Sequence, residues 1–228
     1  MNHPTTFELP TKDALTGLLT GAYFRHVLRE TLIPEARRTG DPLSVMLFDL
    51  DYFLQLNTAH GHEAGDEVLA GVARTLEAVL PDSAVIARYG GDEFAAALPD
   101  TRLDDAFTLL EELRRCVAAL SFPQWPDIRL TCTMGLAAYP ANGQGEVELI
   151  READQALYVA KATGRNKVSL PLADSRMVTK TSHYTATQLE RLAQLATTLK
   201  RNEASVLRAA LDDVLKKYND RLGAPPKA

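Results

Sequence analysis

Two spacings of apolar residues alternate along the first 173 residues of the chain. Short apolar runs predict buried strands at 43–48, 85–87, 94–98, 128–137 and 167–170, and apolar residues three or four positions apart predict helices at 22–38, 63–80, 103–120 and 147–163. Two adjacent glycines, Gly90 and Gly91, separate the second and third strands, which favours a tight hairpin. Strands that alternate with helices predict an α/β or α+β sheet covered by helices.

The pattern breaks at residues 171–175. Beyond this break the sequence predicts a strand at 176–184, a helix at 185–199, a short turn at 200–202 and a second helix at 203–219, with Asn202 as its N-cap. We therefore divide the chain into a domain of residues 1–173 and a tail of residues 174–228. One strand and two helices are too few to close a core by themselves, so the tail is expected to pair with a second copy.

Composition places the chain among globular proteins, since 46% of its 228 residues are hydrophobic and 24% are charged. No apolar run is long enough to span a membrane, and the first residues lack the basic start and apolar stretch of a secretory signal. Cys116 and Cys132 fit neither a C-x-x-C redox pair nor a zinc site. We expect a cytoplasmic protein with two reduced thiols and no membrane partner.

The charge is divided unevenly between the two parts. Residues 174–228 hold ten Lys and Arg against six Asp and Glu, a net of +4, and residues 1–173 hold 15 against 24, a net of −9, which together give −5. An acidic body suits a site for cations, and a basic tail suits a polyanionic partner. Ordinary variation of surface charge is the alternative.

Carboxylates are concentrated where strands end. Asp49 and Asp51 follow a buried strand, and Asp92 and Glu93 lie at the tip of the hairpin. If the hairpin lies beside that strand, the carboxylates repel one another unless a divalent cation lies among them, an arrangement that holds magnesium for phosphoryl or nucleotidyl transfer. A surface hairpin with solvated acids is the alternative.

The hairpin segment Arg88–Phe94 reads RYGGDEF and resembles the signature of GGDEF domains, the diguanylate cyclases that condense two GTP into cyclic di-GMP. Other segments are similar to further motifs of the family, in the family's order: Asp13–Leu18, Phe48–Phe53, Asn57–Asp66 and Ala153–Asn166. The resemblance covers about residues 12–170 and implies an α+β fold, a palm of βαββαβ order like that of nucleotidyl cyclases and polymerases. Gly90 and Gly91 would let the backbone approach a bulky ligand closely.

The resemblance implies a role for each residue of the metal site. Asp49, the main-chain carbonyl of Leu50, and Asp92 would hold Mg²⁺ against the triphosphate of GTP. Glu93, the neighbouring carboxylate, would help to activate the attacking 3′-hydroxyl. These roles define a magnesium-dependent nucleotidyltransferase.

The resemblance also implies four substrate contacts. Asn57 and Asp66 would read guanine, because a carboxylate accepts from both the N1–H and the N2–H of that base. Lys161 and Arg165 are four residues apart, which on a helix places them on one face, and they would bind the terminal phosphates. A solvated basic face is the alternative for this second pair.

The sequence departs from the family pattern at several positions. The family usually has a lysine where this chain has Leu54, an acid where it has Thr58, and an Asn-Arg pair at 20–21. The Arg-x-x-Asp segment of the family's product-inhibition site corresponds to 81–84, where Pro81 and Ala84 replace the charged residues, so feedback binding of cyclic di-GMP there is not expected. Leu54 and Thr58 keep a second hypothesis open: a transcriptional regulator whose degenerate domain senses GTP or cyclic di-GMP without turnover.

The tail resembles the ribbon-helix-helix domain of Arc- and MetJ-type repressors. The residues that carry this resemblance are Tyr184–Thr185, the leucines at 189, 192, 195 and 199, and Asn202–Leu211. The resemblance implies a homodimer whose paired strands enter the major groove of double-stranded DNA. Thr179, Thr181 and His183 would face the bases, and Lys200 and Arg201 would lie near a phosphate. A helical hairpin that dimerises without contacting DNA is the alternative.

Overall fold

The computed structural model describes residues 10–171 and 184–199, together with positions 203, 206–207, 210–211, 214 and 217–218. The chain divides into two compact units, Met1–Met177 and Val178–Ala228. Residues 172–183 lie outside the described part, so the boundary at 173/174 stays a prediction. No helix among the described residues is long and apolar enough to cross a membrane.

The first unit is built on one six-stranded sheet with the order β1-β3-β4-β2-β5-β6. Its strands are β1 (Leu19–Thr20), β2 (Leu43–Leu50), β3 (Val85–Arg88), β4 (Glu93–Pro99), β5 (Cys132–Tyr139) and β6 (Val168–Ser169). β2 lies antiparallel between β4 and β5, whereas β1 pairs with β3, and β5 with β6, in parallel. Because β2 is covered on both faces, it reads as a nearly continuous apolar run rather than as an alternation.

Helices cover both faces of the sheet. They are α1 (Gly21–Val27), α2 (Ile33–Thr39), α3 (Phe53–His60), α4 (His62–Val79), α5 (Leu103–Ala118) and α6 (Glu146–Ala162). One core packs α4 and α5 against β2 residues such as Met46 and Phe48, and the other packs α1, α2 and α6 against Val45 and Leu47. Since strand side chains alternate between faces, Asp49 follows Val45 and Leu47 onto the face that α6 covers.

The structure differs from the sequence-based expectation at two predicted elements and at one helix, α3. The helix predicted at 22–38 is interrupted by a π-helical turn, Leu28–Leu32, between α1 and α2. The strand predicted at 128–137 begins only at Cys132, because Ile128 and Leu130 are apolar for the core they pack into and not for sheet pairing. Helix α3 was not predicted, since none of its residues is buried and its apolar pattern is weak.

The described part of the second unit contains helix α7 (Ala186–Thr198), close to the helix predicted at 185–199. Thr185 caps it: the threonine hydroxyl accepts from the backbone N–H of Gln188, and the Gln188 side chain accepts from the backbone N–H of Thr185. The predicted strand, apart from Tyr184, and the predicted cap Asn202 lie outside the described residues.

Candidate active site

The sheet register brings three carboxylates to one edge of the sheet. Asp49 lies directly opposite Glu93 of β4, and on its other side opposite Thr133 of β5. Asp92 directly precedes β4, and its carbonyl oxygen accepts the backbone N–H of Leu50 at 3.3 Å. We call Asp49, Asp92 and Glu93 the carboxylate edge. The hairpin therefore lies beside β2, the strand that carries Asp49.

Lys161 of α6 contacts this edge. Its ammonium nitrogen lies 2.6 Å from Oδ2 of Asp49, a carboxylate with only 13% of its side chain exposed. Burial raises the pKa of Asp49, and the neighbouring Asp92 carboxylate adds to this rise, while the Lys161 ammonium opposes it. The pKa of Asp49 remains above its ordinary value, because one lysine does not fully offset burial and the neighbouring negative charges.

Glu93 has a raised pKa for similar reasons. Burial has the largest effect, the Asp49 carboxylate directly opposite has the next largest, and Asp92 and Asp154 add smaller ones. The pKa of a general base is useful when it lies closer to the working pH than that of a free carboxylate. The environment of Glu93 therefore suits a group that accepts a proton.

The donors at the carboxylate edge fit magnesium. Within the described residues no three carboxylate, imidazole or thiol side chains converge to form a complete metal centre. Magnesium bound with nucleotides commonly takes one or two carboxylates and fills its remaining positions with water and phosphate oxygens. Asp49, Asp92 and the Leu50 carbonyl are hard oxygen donors of this kind, so the set is suited to an ion that arrives with a triphosphate.

The hairpin loop is fixed by Arg88. Its guanidinium donates to the carbonyl oxygen of Gly91 at 2.8 and 3.1 Å and forms an ion pair of 3.2 Å with Asp13. A Cβ at Gly90 would lie 3.0 Å from the Glu93 carboxylate, whereas a Cβ at Gly91 would meet nothing within 4 Å. Gly90 thus makes room for Glu93, and the open space at Gly91 leaves access for a ligand.

An open groove of about 320 Å³ lies beside the carboxylate edge. It is lined by Asp154, Gln155, Leu157, Tyr158 and Lys161, all from α6. The groove shares Lys161 with the edge, which makes room for part of a nucleotide next to the carboxylates.

The predicted guanine-reading residues lie on two neighbouring helices, Asn57 on α3 and Asp66 on α4. Oδ1 of Asn57 is buried and has no hydrogen-bond partner among the described residues. A Cβ at Gly65 would fall 1.9 Å from this oxygen, so only glycine leaves it room. Asp66 is exposed. Their role in reading guanine stays a prediction.

The prediction that Lys161 and Arg165 share a helix face is wrong. Helix α6 ends at Ala162, and Gly164, Arg165 and Asn166 all have positive φ angles of 112°, 58° and 48°. A left-handed backbone cannot continue a right-handed helix, so Arg165 belongs to a turn of residues 163–166. Its guanidinium carbon lies 5.0 Å from the ring centroid of Tyr52.

Asp51 has a role that the sequence did not reveal. Its buried carboxylate accepts hydrogen bonds from the hydroxyls of Thr131 and Thr133 at 2.7 and 2.6 Å and from the backbone N–H of Asn166 at 3.1 Å. It therefore anchors the 163–166 turn and does not join Asp49 at the carboxylate edge. Thr131, just before β5, and Thr133, on β5, were the available signal in the sequence. That signal can be interpreted only when the pairing of β2 with β5 is known.

Residues 11–167 match the family model described as "Diguanylate cyclase, GGDEF domain". The chain belongs to the GGDEF family. The response regulator PleD of Caulobacter vibrioides is 36% identical over 166 residues, covering 72% of this chain and 36% of PleD. Diguanylate cyclase DgcM of Escherichia coli is 40% identical over 156 residues, covering 68% of this chain and 37% of DgcM. The chain thus spans little more than a third of either relative.

Solved GGDEF domains have the same fold. The GGDEF domain of DgcB from Caulobacter crescentus, in complex with c-di-GMP, gives a TM-score of 0.66 at 30% identity, covering 72% of this chain and 96% of that one. The GGDEF domain of PA1120 (TpbB or YfiN) from Pseudomonas aeruginosa gives 0.67 at 31% identity, covering 73% and 98%. These likenesses confirm the expected palm-like α+β fold of the first unit.

Among the departures from the family pattern, Leu54, Thr58 and Pro81 are exposed, whereas Ala84 is partly buried. Leu54 is 76% exposed, and its carbonyl oxygen accepts the hydroxyl of Thr58 at 2.8 Å. Pro81 and Ala84 form a turn with a 2.8 Å backbone hydrogen bond and offer neither a cation nor a carboxylate.

The family match ends at residue 167 and does not reach the tail. The predicted DNA contacts Thr179, Thr181, His183, Lys200 and Arg201 lie outside the described residues.

Proposed function

We propose that the GGDEF domain of this chain is a magnesium-dependent diguanylate cyclase that condenses two GTP into cyclic di-GMP. The observation that carries the proposal is the carboxylate edge, where Asp49 and Glu93 face each other across two strands with Lys161 in contact. Lys161 offsets the repulsion within this group only in part, since the pKa values of Asp49 and Glu93 stay raised beside it. The group therefore supports a metal-dependent function, in which a bound cation supplies further positive charge.

Asp49, the Leu50 carbonyl and Asp92 would hold Mg²⁺, which supplies charge neutralisation for the triphosphate. Lys161 and Arg165 would bind the terminal phosphates that leave as pyrophosphate. Glu93 would accept the proton of a 3′-hydroxyl as its oxygen attacks the α-phosphorus of the second GTP. Its raised pKa suits this role, since a carboxylate that holds protons more readily is a better base.

Incubation of the full chain with GTP and Mg²⁺, followed by mass spectrometry, tests this proposal directly. We expect a product of the mass of cyclic di-GMP and two pyrophosphates for each product formed. Bound but unconverted GTP would overturn the cyclase in favour of the second candidate.

That second candidate is a transcriptional regulator whose GGDEF domain senses GTP or cyclic di-GMP without turnover. Two observations favour it: Leu54 places an exposed apolar side chain where the family usually has a lysine, and the Lys161 ammonium is engaged by Asp49. A missing positive charge costs most in the transition state, where the charge of the leaving group develops, so its loss lowers turnover more than it weakens binding of GTP. Calorimetric binding of GTP by a chain that makes no product would support the sensor.

We expect either candidate to prefer GTP over ATP. Guanine presents N1–H and N2–H donors to the acceptors of Asp66 and Asn57, and adenine would leave these acceptors unpaired at a cost of about 1–3 kcal/mol each. Titration of the chain with GTP and ATP in Mg²⁺ measures the difference. Equal affinities would contradict the roles of Asn57 and Asp66.

For the tail we propose a dimerisation unit of ribbon-helix-helix type that binds double-stranded DNA. Apolar side chains remain about half exposed on its described residues: Leu189, Leu195, Leu199, Leu211 and Val214. Covering such side chains stabilises a dimer by about 25 cal/mol for each Å² of apolar surface removed from water. A dimer would also bring two GTP-loaded domains within reach of one another, which the proposed condensation requires.

We expect the full chain to sediment as a dimer and the Leu189→Glu, Leu195→Glu double variant to shift towards the monomer. Glu190→Gln, on the same helix, is the control and leaves the dimer intact.

The dimer is expected to bind DNA with an affinity that falls steeply with salt, because the tail carries a net charge of +4 per chain.

Replacing Thr181 and His183 with alanine is expected to reduce discrimination between operator and random DNA more than affinity for random DNA. A dimer without DNA binding at low salt would leave the tail as an assembly unit alone.

A further inference from the structure

Two residues with left-handed backbones meet across two different connections of the sheet. Tyr52 (φ 60°) follows β2, and Arg165 (φ 58°) lies in the 163–166 turn. The Arg165 guanidinium carbon is 5.0 Å from the centroid of the Tyr52 ring, within the range of a cation–π interaction. Residues with a Cβ rarely adopt this conformation, so both connections must be held in place by their neighbours.

Hydrogen bonds to the buried Asp51 carboxylate hold the two connections together. Asp51 precedes Tyr52, and its Oδ2 accepts the backbone N–H of Asn166, which follows Arg165. The same N–H also lies 3.0 Å from the hydroxyl oxygen of Thr133. Each backbone is thus fixed one residue away from the stack, which keeps the ring and the guanidinium within reach of one another.

The guanidinium of Arg165 is free to take a ligand. It makes no ion pair with any of the residues that the structure describes, whereas the ammonium of Lys161 is engaged by Asp49. Leu54, two residues after Tyr52, is 76% exposed and carries no charge. Of the two cations proposed to bind the phosphates, only Arg165 lacks a carboxylate partner among the described residues. Its guanidinium contacts the ring of Tyr52.

We infer that Tyr52 is a positioning residue for phosphate binding: its ring holds the Arg165 guanidinium in the orientation in which that group receives the terminal phosphates of a nucleoside triphosphate. The inference rests on the proposed function for the role of Arg165. It adds that an aromatic ring orients this cation in a chain whose position 54 offers no lysine.

Two substitutions separate the ring from the backbone. Tyr52→Asn removes the ring but keeps a residue that tolerates the left-handed conformation, and Tyr52→Phe keeps the ring without its hydroxyl. The probe is 3′-deoxy-GTP with Mg²⁺, which lacks the attacking hydroxyl and so reports binding without turnover. 3′-Deoxy-GMP, which lacks the terminal phosphates, is the matched ligand. Thermal unfolding of each variant checks that the domain is folded.

We expect Tyr52→Asn to weaken binding of 3′-deoxy-GTP about two- to fivefold, the effect of losing an exposed cation–π contact, and to leave binding of 3′-deoxy-GMP unchanged. Tyr52→Phe is expected to restore the affinity for the triphosphate. In an Arg165→Ala background, Tyr52→Asn should have no further effect, since the ring acts through that side chain.

Three results would overturn the inference alone: triphosphate binding that Tyr52→Asn does not change, equal weakening for both ligands, or a loss that persists in the Arg165→Ala background. A wild-type chain that binds no 3′-deoxy-GTP would overturn the proposed function together with the inference. Binding of 3′-deoxy-GTP without any conversion of GTP would overturn the cyclase and leave the role of Tyr52 to these variants.

Discussion

Replacing Asp92 with alanine is expected to lower the rate of cyclic di-GMP formation by about a thousandfold or more, because a metal that screens the triphosphate contributes several kcal/mol to the transition state. Asp92 lies at the carboxylate edge directly before β4, and its main-chain carbonyl oxygen accepts the N–H of Leu50. The substitution removes only the side chain and leaves this backbone contact. We therefore expect the variant to remain folded. Product formation measured by mass spectrometry, with circular dichroism for the fold, checks both expectations.

The matched control for Asp92→Ala is Asp82→Ala. Asp82 is exposed in the turn before β3, at the opposite end of that hairpin, so removing its carboxylate should leave turnover within about twofold of the wild type. A folded Asp92→Ala variant that turns over GTP at the wild-type rate would contradict the assignment of the carboxylate edge as the metal site.

Replacing Asp51 with alanine is expected to lower the free energy of unfolding by about 3 kcal/mol, since it removes the acceptor that one buried and two partly buried donors share. These donors are the two threonine hydroxyls of β5 and its approach, and the N–H of Asn166. The same change frees the 163–166 turn, so GTP binding should weaken even where the chain is folded. Urea unfolding followed by circular dichroism measures the stability.

Asp51→Asn is the conservative comparison. It keeps one carbonyl oxygen and the size of the side chain, so its loss of stability should be clearly smaller than that of Asp51→Ala. Equal urea midpoints for the wild type and Asp51→Ala would contradict the anchoring role. A destabilised Asp51→Ala variant with unchanged GTP affinity would keep the anchor but separate it from phosphate binding.

The hairpin and its strands could be predicted because their signals are local. Gly90 and Gly91 between two short apolar runs mark a turn wherever the chain folds, and the apolar run at 43–48 is too short and continuous for a surface helix. The motif spacing also located Asp49, Asp92 and Glu93, and the register confirms that these three meet at one edge. The order of the longer helices and strands in the first unit follows from the same periodicity, whereas β1 and α3 do not.

The roles of Asp51 and Tyr52 could not be predicted in this way. Asp49 and Asp51 have the same chemistry and lie two residues apart, and only the pairing of β2 with β5 sends the second to the threonines. Likewise, spacing alone placed Lys161 and Arg165 on one helix face, but the helix ends at Ala162. The helix predicted at 147–163 already ends before Arg165, and Gly164 is a local signal for that end. The position of Arg165 depends instead on the 163–166 turn, which Asp51 holds from another strand.

The sequence by itself determined the family, the strands of the palm, and the identity of the carboxylates that lie at its edge, because periodicity and motif spacing are properties of neighbouring residues. Only the tertiary structure decided which partner each charge finds: Lys161 at Asp49, Asn166 at Asp51 and Arg165 over Tyr52. These contacts join residues more than a hundred positions apart, and their geometry depends on sheet register and backbone conformation. Both are set by packing of the whole domain and not by any single segment.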